Sequence, residues 1–554
     1  MLGKAISIYG TGQRWSFVGF VLIFAAICIY IQTATGAYFV GRGLGVDGGI
    51  CNDEASHFVN SLLVFDYIAD GIPSNPLYYA REYYMHFPRV SIGHWPPMFY
   101  VVQAGIMGLF GRSGAVAIAS EAAIAALALG WVASFVRRRV GWLAGLAAGA
   151  AALASPELMA QLNQVLIDIF LALWLLGAAL SWAAFAARPG AGRAAVFTVC
   201  AIGAIMTKGS GLALALLPLL HAVLVRDARA LLDRRAWLAA AVIGATTLPW
   251  YLLTYRMAAT GFNYAWGWRY TVEALRAYVK FFVAAVGVIG AIGCAAGAIG
   301  AVRPRGGAAD HPLAALVALV AVVMLFYAVV PADITSRYVV CVVPAAMVVA
   351  AVGVARLLRP LAGRLRGLSG VVVAALLLFN AATLMRVPHV TPFGADMVTG
   401  LVLHAENSNP LVLVAGSSAT EGALIAAFAE ADRDRRHYVI RATKVLSSST
   451  FLGTQYALRF ADTPDVERWL ADAGIGWVVV DDSPDGALLE HDRQVLAIAA
   501  SRPAGWDLVG SHRTAEGEIR LYRLAGATPS AAQISDALQR ERPAMAGETP
   551  LSTR

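Results

Sequence analysis

Long apolar runs alternate with short polar or basic stretches from residue 15 to residue 386. The runs are rich in Leu, Ala and Val, and about 15–25 residues is the length with which an α-helix crosses a hydrocarbon core of roughly 30 Å. A first span is predicted at 15–35, and later spans at about 97–111, 115–136, 141–157, 165–187, 194–207, 211–225, 237–255, 276–300, 313–331, 338–356 and 368–386. We therefore expect a polytopic α-helical membrane protein with about 11–13 transmembrane helices.

A long polar loop, residues 37–95, separates the first span from the others. Within it, Phe58, Leu62, Phe65 and Ala69 repeat at helical spacing. Such a stripe is typical of an amphipathic helix that lies flat in the membrane interface. Because loops of this length are usually functional, we expect part of the functional site in this loop.

The C-terminal region has a different pattern. Short β-type runs occur at 411–416, 437–442 and 476–482, and helical patterns lie between them. This alternation predicts a small soluble α/β domain. We divide the chain into a membrane domain at 1–395, an α/β domain at 396–525 and a disordered tail at 526–554, where Pro, Ser, Ala and Arg predominate.

Charge determines the predicted orientation. Only 14% of residues are charged, 58% are hydrophobic, and the net charge is +8. The arginines form clusters between spans, at 137–139, 188–193, 226–235, 303–305 and 356–366. This is the positive-inside pattern, so the basic balance indicates topology and not a nucleic-acid partner.

The alternation of these clusters predicts that the C-terminal domain and the loops near residues 161, 208, 264 and 333 lie on the non-cytoplasmic side, as do Asp53 and Asp168. If 97–136 crossed the membrane twice, the arginines at 137–139 would fall on the wrong side. An odd number of crossings is therefore expected there.

Carboxylates are the first candidates for chemistry. Asp53 and Glu54 are adjacent at the start of the long loop's helical segment, and Asp168 lies just inside an apolar span. Acidic groups in such positions are costly unless they are solvated or functional. For Asp168 the alternative is a helix-end carboxylate exposed to interfacial water.

Cationic and aromatic residues on the same predicted side form a second set: Lys208, Arg269, Arg337 with Tyr338, and His94 in the His-Trp-Pro-Pro sequence before the second span. Basic residues outside the cytoplasm can bind a lipid phosphate. The alternatives are snorkelling for Lys208, belt residues for the aromatics around Arg269, and a helix-start signal for the Pro pair.

No His, Cys, Asp or Glu cluster has metal-site spacing, and the five cysteines suggest no disulfide framework. The sequence therefore requires no metal cofactor, although the carboxylates could bind a divalent cation.

Together the motifs resemble the integral-membrane GT-C glycosyltransferases, in the family of the protein O-mannosyltransferases and lipid A aminoarabinose transferases. In chain order they are Asp53-Glu54, Pro96-Pro97-Met98-Phe99-Tyr100, Ser155-Pro156 before Asp168, Thr207-Lys208-Gly209, Leu248-Pro249-Trp250 and Ser336-Arg337-Tyr338. The His-Trp-Pro-Pro form is closer to the His-Pro-Pro of the mannosyltransferases than to the Lys-Pro-Pro of the aminoarabinose branch.

The resemblance implies a polyprenyl-phosphate-linked sugar as donor and an inverting, single-displacement transfer to a lipid, glycan or protein acceptor on the periplasmic side. Asp53 is then the expected general base, with Glu54 or Asp168 orienting substrates and Lys208 and Arg337 binding the phosphate. Two other hypotheses remain: a transporter or flippase of a lipid-linked sugar, and a non-catalytic binding protein.

Overall fold

The computed structural model describes residues 11–36, 53–259, 261–262, 264–302, 308–361, 369–387, 394–405, 409–448, 455–482, 488–501, 504–513, 517–526 and 529–541. Helices make up most of these residues. The membrane-domain helices are α1 (Thr11–Ala34), α2 (Asp53–Ala69), α3 (Pro76–His86), α4 (Met98–Phe110), α5 (Gly114–Arg139), α6 (Trp142–Leu153), α7 (Pro156–Leu162), α8 (Asp168–Ala187), α9 (Ala191–Ile205), α10 (Leu217–Val225), α11 (Arg229–Leu232), α12 (Arg234–Ala259), α13 (Trp268–Ala301), α14 (His311–Val329), α15 (Val343–Leu357) and α16 (Ser369–Leu384). Short 3₁₀ segments at Gly209–Ala215 and Ser336–Val342 lead into α10 and α15.

The spans agree with the apolar runs. By length and composition, seven of the described helices can cross a membrane, or up to eight if the bent pair α6 and α7 forms one span. That pair bends by 73° at Ala154 and Ser155, before the proline at the start of α7. Four shorter apolar helices complete the bundle: α4, α9, Gly209–Val225 and α16. The predicted polytopic helical fold is confirmed.

Small residues allow the closest helix contact. A Cβ added to Gly353 in α15 would lie 1.8 Å from the carbonyl oxygen of Gly293 in α13. Any side chain at position 353 would clash with this oxygen, so glycine is required for α13 and α15 to approach so closely. Helix packing inside a membrane depends on such close van der Waals contact, because burial from lipid gives little hydrophobic gain.

The two ends of the helix bundle have different polar contacts: arginine–aspartate ion pairs at one end, and contacts with the C-terminal region at the other. At one end, here the arginine end, Arg139 at the close of α5 binds Asp310 at 2.7 and 2.9 Å, and Arg356 approaches the same carboxylate at 3.6 Å. At the other, here the domain end, Arg112 donates hydrogen bonds of 2.7 Å to the carbonyls of Ala429 and Glu430 in the C-terminal region.

Helix α4 does not cross between these ends. Its first turn lies at the domain end, where Tyr100 shares a 2.9 Å hydrogen bond with His57 of α2, and Arg112 directly after it is at the domain end as well. Its 13 residues span only about 20 Å. The prediction that 97–111 crosses the membrane is therefore wrong. Only α5 crosses in this stretch, as the arginine pattern requires.

The C-terminal region contains α17 (Ala395–Leu403), β1 (Leu411–Ala415), α18 (Ser418–Ala431), β2 (Tyr438–Arg441), α19 (Ala442–Val445), β3 (Ser447–Ser448), β4 (Ala457–Leu458), α20 (Thr463–Asp472), β5 (Trp477–Asp481), α21 (Glu490–Ser501), β6 (Trp506–Arg513), β7 (Glu518–Leu524) and α22 (Ala531–Glu541). Five strands form one sheet in the order β2-β1-β5-β7-β6, and β3 pairs with β4. Strands β1, β2 and β5 are parallel, with Leu413 opposite Ile440 and Val478, whereas β7 and β6 are antiparallel.

Two local expectations differ from the structure. Residues 54–63 of α2 are all buried, so this part of the helix packs against protein and not against lipid. The stripe prediction missed this because His57, Asn60 and Ser61 on the other faces form hydrogen bonds within the protein. In the predicted disordered tail, α22 forms and buries Ala537, and residues 542–554 lie outside the described part.

Candidate active site

Four predicted site residues begin structural elements at the domain end. Asp53 is the first residue of α2 and Asp168 the first of α8. Lys208 precedes the 3₁₀ segment Gly209–Ala215, and Arg337 lies in the segment Ser336–Val342. Because helix starts come together here, side chains far apart in sequence can meet at the edge of the bundle.

They form a continuous ion-pair cluster. Nζ of Lys208 lies 2.5 Å from Oδ1 of Asp168. Nη1 of Arg337 lies 2.8 Å from Oδ2 of Asp53, and its Nε lies 3.5 Å from Oδ2 of Asp168. Arg337 therefore bridges the two carboxylates, and the cluster of two acids and two bases is neutral overall.

Aromatic rings form one wall of the cluster. The ring of Tyr338 lies 4.2 Å beneath Nζ of Lys208 and 5.5 Å from the guanidinium carbon of Arg337. Tyr327 stacks on the other side of Tyr338, at 4.6 Å between centroids, and donates a 2.8 Å hydrogen bond to Ser210. These contacts hold Tyr338 as a cation-π partner for both bases.

Exposure separates the two carboxylates. The side chain of Asp168 is 0% exposed and that of Lys208 is 10% exposed. Arg337 is 16% exposed, and Asp53 is 33% exposed. Asp53 is thus the carboxylate of the cluster that an incoming molecule can reach. Asp168 has no exposed surface, and its role is to hold the cationic side chains of Lys208 and Arg337.

Arg337 also affects the ionisation of Asp53. Burial acts to raise the pKa of the Asp53 carboxyl, but the positive charge and hydrogen bond of Arg337 outweigh it and hold the pKa below its usual range. Asp53 is therefore a carboxylate at neutral pH, as a proton acceptor must be.

Glu54 faces away from this surface. It is buried, and its Oε1 accepts a 2.9 Å hydrogen bond from the backbone N–H of Val165, in the turn before α8. Burial raises its pKa to about 7. Of the adjacent acids, Asp53 lies in the accessible cluster, and Glu54 connects α2 to the bundle.

His94 is half-buried in the loop before α4. Burial lowers its pKa, and the charge of Asp53 acts in the opposite direction, so the two residues lie within electrostatic reach. Arg269, in the first turn of α13, is exposed, and among the described residues no ion pair or hydrogen bond joins it to the cluster. The structure thus brings together Asp53, Asp168, Lys208, Arg337 and Tyr338, with His94 nearby, but not Arg269.

Sequence reasoning missed His57 and Glu121. His57 follows Asp53 by one helical turn, shares its hydrogen bond with Tyr100 and packs 4.6 Å from the Trp95 ring. Burial lowers its pKa to about 4, so it is neutral. Glu121 is fully buried in α5, and neither carboxylate oxygen has a hydrogen-bond partner among the described residues. A lone acid inside an apolar span could have been recognised from sequence.

Within the described ranges, no group of three or more His, Cys, Asp or Glu side chains is placed to hold a metal ion. Asp53 and Asp168, the nearest approach to an acidic pair, have Arg337 between them.

Solved structures with the same architecture were found by structural comparison. ArnT from Cupriavidus metallidurans bound to undecaprenyl phosphate matches with a TM-score of 0.55 and 16% sequence identity, covering 92% of this chain and 99% of that chain. Apo ArnT gives the same TM-score of 0.55 over 91% and 98%. The Archaeoglobus fulgidus oligosaccharyltransferase in complex with Zn and sulfate matches with a TM-score of 0.52 and 14% identity, over 83% of this chain and 67% of that chain.

No protein-family model matches the sequence, and no curated protein is similar enough to count as a relative. At identities this low the structural matches establish fold and not activity. The fold expected from the sequence motifs is confirmed, and the chain has the GT-C fold of these structures.

Proposed function

We propose that this protein is a membrane glycosyltransferase that moves a sugar from a polyprenyl-phosphate donor to an acceptor hydroxyl. The observation that carries the proposal is the cluster at the domain end. One accessible carboxylate, Asp53, lies beside the cationic side chains of Lys208 and Arg337. The buried carboxylate of Asp168 pairs with both cations and holds them in place. A base for the acceptor and cations for a phosphate are what this transfer needs.

Lys208 and Arg337 suit the lipid phosphate. Both lie at the bundle edge, where a phosphate headgroup sits, and their N–H groups can form charge-assisted hydrogen bonds with its oxygens. A structure of the same fold, ArnT, is bound to undecaprenyl phosphate. On binding, the phosphate would take part of the positive charge that now neutralises Asp53.

Asp53 is the proposed general base. The acceptor oxygen attacks the anomeric carbon from the face opposite the phosphate, and its proton passes to the Asp53 carboxylate. The bond between the anomeric carbon and the phosphate oxygen breaks, and its electron pair leaves on the polyprenyl phosphate. Loss of the Arg337 pair to the phosphate would raise the pKa of Asp53 and make it a better base once the donor is bound.

The geometry favours inversion. A double displacement needs a nucleophilic carboxylate and a second carboxyl group that both reach the sugar. Asp168 is fully buried, and Glu54 is turned toward Val165, so Asp53 is the single carboxylate of the three in position. One carboxylate supports a single displacement.

We place the site on the periplasmic side of a bacterial inner membrane. The arginine end contains the basic clusters, including Arg139 and Arg356, that the positive-inside rule assigns to the cytoplasm. The ion-pair cluster and the C-terminal domain lie at the opposite end, where a lipid, glycan or protein acceptor would approach.

Reconstitution with radiolabelled polyprenyl-phosphate sugars tests the proposal. Asp53→Asn should lose transfer by about 100- to 10,000-fold while still binding the donor. Glu273→Gln, an exposed acid-to-amide change in α13, is the matched control and should transfer normally. Full activity in Asp53→Asn would eliminate Asp53 as the base. Sugar movement across the vesicle wall without any transfer would instead establish a flippase.

A further inference from the structure

Helix α18 of the C-terminal domain packs directly against α2, the helix whose first turn carries Asp53 and Glu54. The two helices approach closely at Gly422. A Cβ built there would lie 3.1 Å from Cβ of Ala55, the residue after Glu54, and 3.4 Å from Nε of Arg89. This separation is tighter than ordinary carbon–carbon contact. Glycine at 422 therefore brings α18 against the first turn of α2.

The start of α18 is fastened to the membrane domain by Arg89. Its Nη2 donates hydrogen bonds to the carbonyl oxygen and, at 3.0 Å, to the hydroxyl of Ser418. Ser418 is the first residue of α18, one helical turn before Gly422.

The end of α18 is fastened by Arg112, whose side chain is 3% exposed. It donates bonds of 2.7 Å to the carbonyls of Ala429 and Glu430, which carry the partial negative charge of a helix C-terminus. The same guanidinium binds both oxygens of Asp66 in α2, each at 2.7 Å. Gly422 thus faces Ala55, and Arg112 joins Ala429 to Asp66, so α18 and α2 run in the same direction.

The first turn of α2 is held on different faces by different parts of the chain: Asp53 pairs with Arg337 and Glu54 accepts from Val165, whereas Ala55 faces α18. Asn60 is tied to Ser91 by two hydrogen bonds of 2.9 Å, and His57 is tied to Tyr100. Both ties lie beyond the first turn. On the face of Ala55, the neighbour that limits movement is Gly422 of α18.

We propose that α18 is a positioning element for the active site, and that Gly422, Arg89 and Arg112 set the place of Asp53 through α2 without touching substrate. This inference rests on the proposed function, in which Asp53 is the base. The C-terminal domain then contributes to turnover by fixing the 2.8 Å contact between Asp53 and Arg337.

The test uses the full chain with alanine and leucine at position 422. Gly422→Ala should lower kcat several-fold and Gly422→Leu about 100-fold, because shifts of about 1 Å at a reacting group cost that much. The KM for donor should stay near the wild-type value. The acid limb of the pH profile should move, since the Arg337 contact sets the pKa of Asp53. Gly400→Ala and Gly400→Leu in α17 are the controls, because a Cβ at Gly400 meets nothing within 4 Å.

Rescue separates positioning from damage to the fold. Removing the methyl group that faces Gly422, in the double variant Ala55→Gly with Gly422→Ala, should restore most of kcat. Alanine has a higher helix propensity than glycine, so Gly422→Ala should not destabilise α18 itself. If Gly422→Leu fails to accumulate, the kcat and pH profile of Gly422→Ala test the positioning role. A Gly422→Ala variant that behaves like Gly400→Ala in kcat and pH profile would overturn the inference.

Hydrogen–deuterium exchange provides a readout that needs no transfer. Gly422→Ala should speed exchange of the α2 amides in residues 54–60 and leave α8 unchanged. If wild type transfers no sugar but this change occurs, the proposed function fails and the positioning stands. If wild type is active and α2 exchange is unaltered, the positioning fails alone.

Discussion

Lys208 and Asp168 form a 2.5 Å ion pair in which both side chains are nearly inaccessible, 10% and 0% exposed. Breaking a buried pair by removing one partner leaves an uncompensated charge, which typically costs about 3–5 kcal/mol. Lys208→Met should therefore lower the midpoint of thermal unfolding in detergent, as well as donor binding.

The double variant Lys208→Met with Asp168→Asn removes both charges and should recover most of the lost stability without recovering transfer. If Lys208→Met unfolds at the wild-type temperature, the pair has no structural role and Asp168 must be neutralised in another way.

With Asp53 as the base, Arg337 should control the acid limb of the pH–activity profile. Because its charge holds the pKa of Asp53 down against the effect of burial, Arg337→Gln should raise that pKa. The base must be ionised, so the acid limb of kcat/KM should move to higher pH by about 1 unit or more. Arg337→Lys keeps the charge and should move the limb less while weakening donor binding, because the bridge between Asp53 and Asp168 is lost. An unmoved limb in Arg337→Gln would mean that another group is titrating.

Glu54 should make stability pH-dependent. Its pKa is raised from 4.5 to about 7 in the folded protein, which therefore binds the proton more tightly than the unfolded chain. That stabilisation is complete below about pH 4.5 and is lost as the pH rises through about 7, a difference of about 3 kcal/mol.

Glu54→Gln retains an oxygen for the N–H of Val165 but cannot ionise. Its unfolding midpoint should fall less than that of the wild type between pH 5 and pH 8, whereas Glu273→Gln should follow the wild type. Parallel curves for wild type and Glu54→Gln would show that Glu54 is not held neutral by the fold.

Transfer should persist when divalent cations are removed. Lys208 and Arg337 occupy the positions beside Asp53 and Asp168 where a metal ion would neutralise charge. Activity of the purified protein measured in excess EDTA, then with added Mg²⁺, Mn²⁺ or Zn²⁺, should stay within about twofold of the untreated enzyme. A loss restored by one of these ions would require these acids to bind it during turnover.

The orientation can be measured by cysteine labelling in a cysteine-free background. Arg229→Cys, at a side chain 87% exposed, should react with a membrane-impermeant maleimide only after cells are lysed. Asp434→Cys, 67% exposed in the C-terminal domain, should react in intact cells with a permeabilised outer membrane. The reverse pattern would move the active site to the cytoplasm.

Local patterns were sufficient to predict the helices and most of the cluster. Spans follow from the length of apolar runs, and a charge in or beside an apolar run marks a group that needs a partner, which identified Asp53, Asp168, Lys208 and Arg337. The same criterion would have found Glu121. It also selected Arg269, which is exposed and apart from the cluster, because a cation beside aromatic residues has the same sequence pattern whether it faces a site or solvent.

What could not be predicted depends on contacts between distant segments. The burial of α2 depends on α18, which lies more than 350 residues further along the chain. The failure of α4 to cross depends on where Arg112 finds its partners, which local hydropathy does not encode. The arginine clusters predict an odd number of crossings in this stretch, because their alternation is counted over the whole chain.

The ion-pair cluster also imposes an order on biosynthesis. Asp168 meets Lys208 after 40 residues, whereas Asp53 must await Arg337, 284 residues further on. At about 5–20 residues per second, that interval lasts about 15–60 s on the ribosome. During it, the acid that begins α2 lacks its ion-pair partner, so the cluster cannot be complete until the segment Ser336–Val342 has been made.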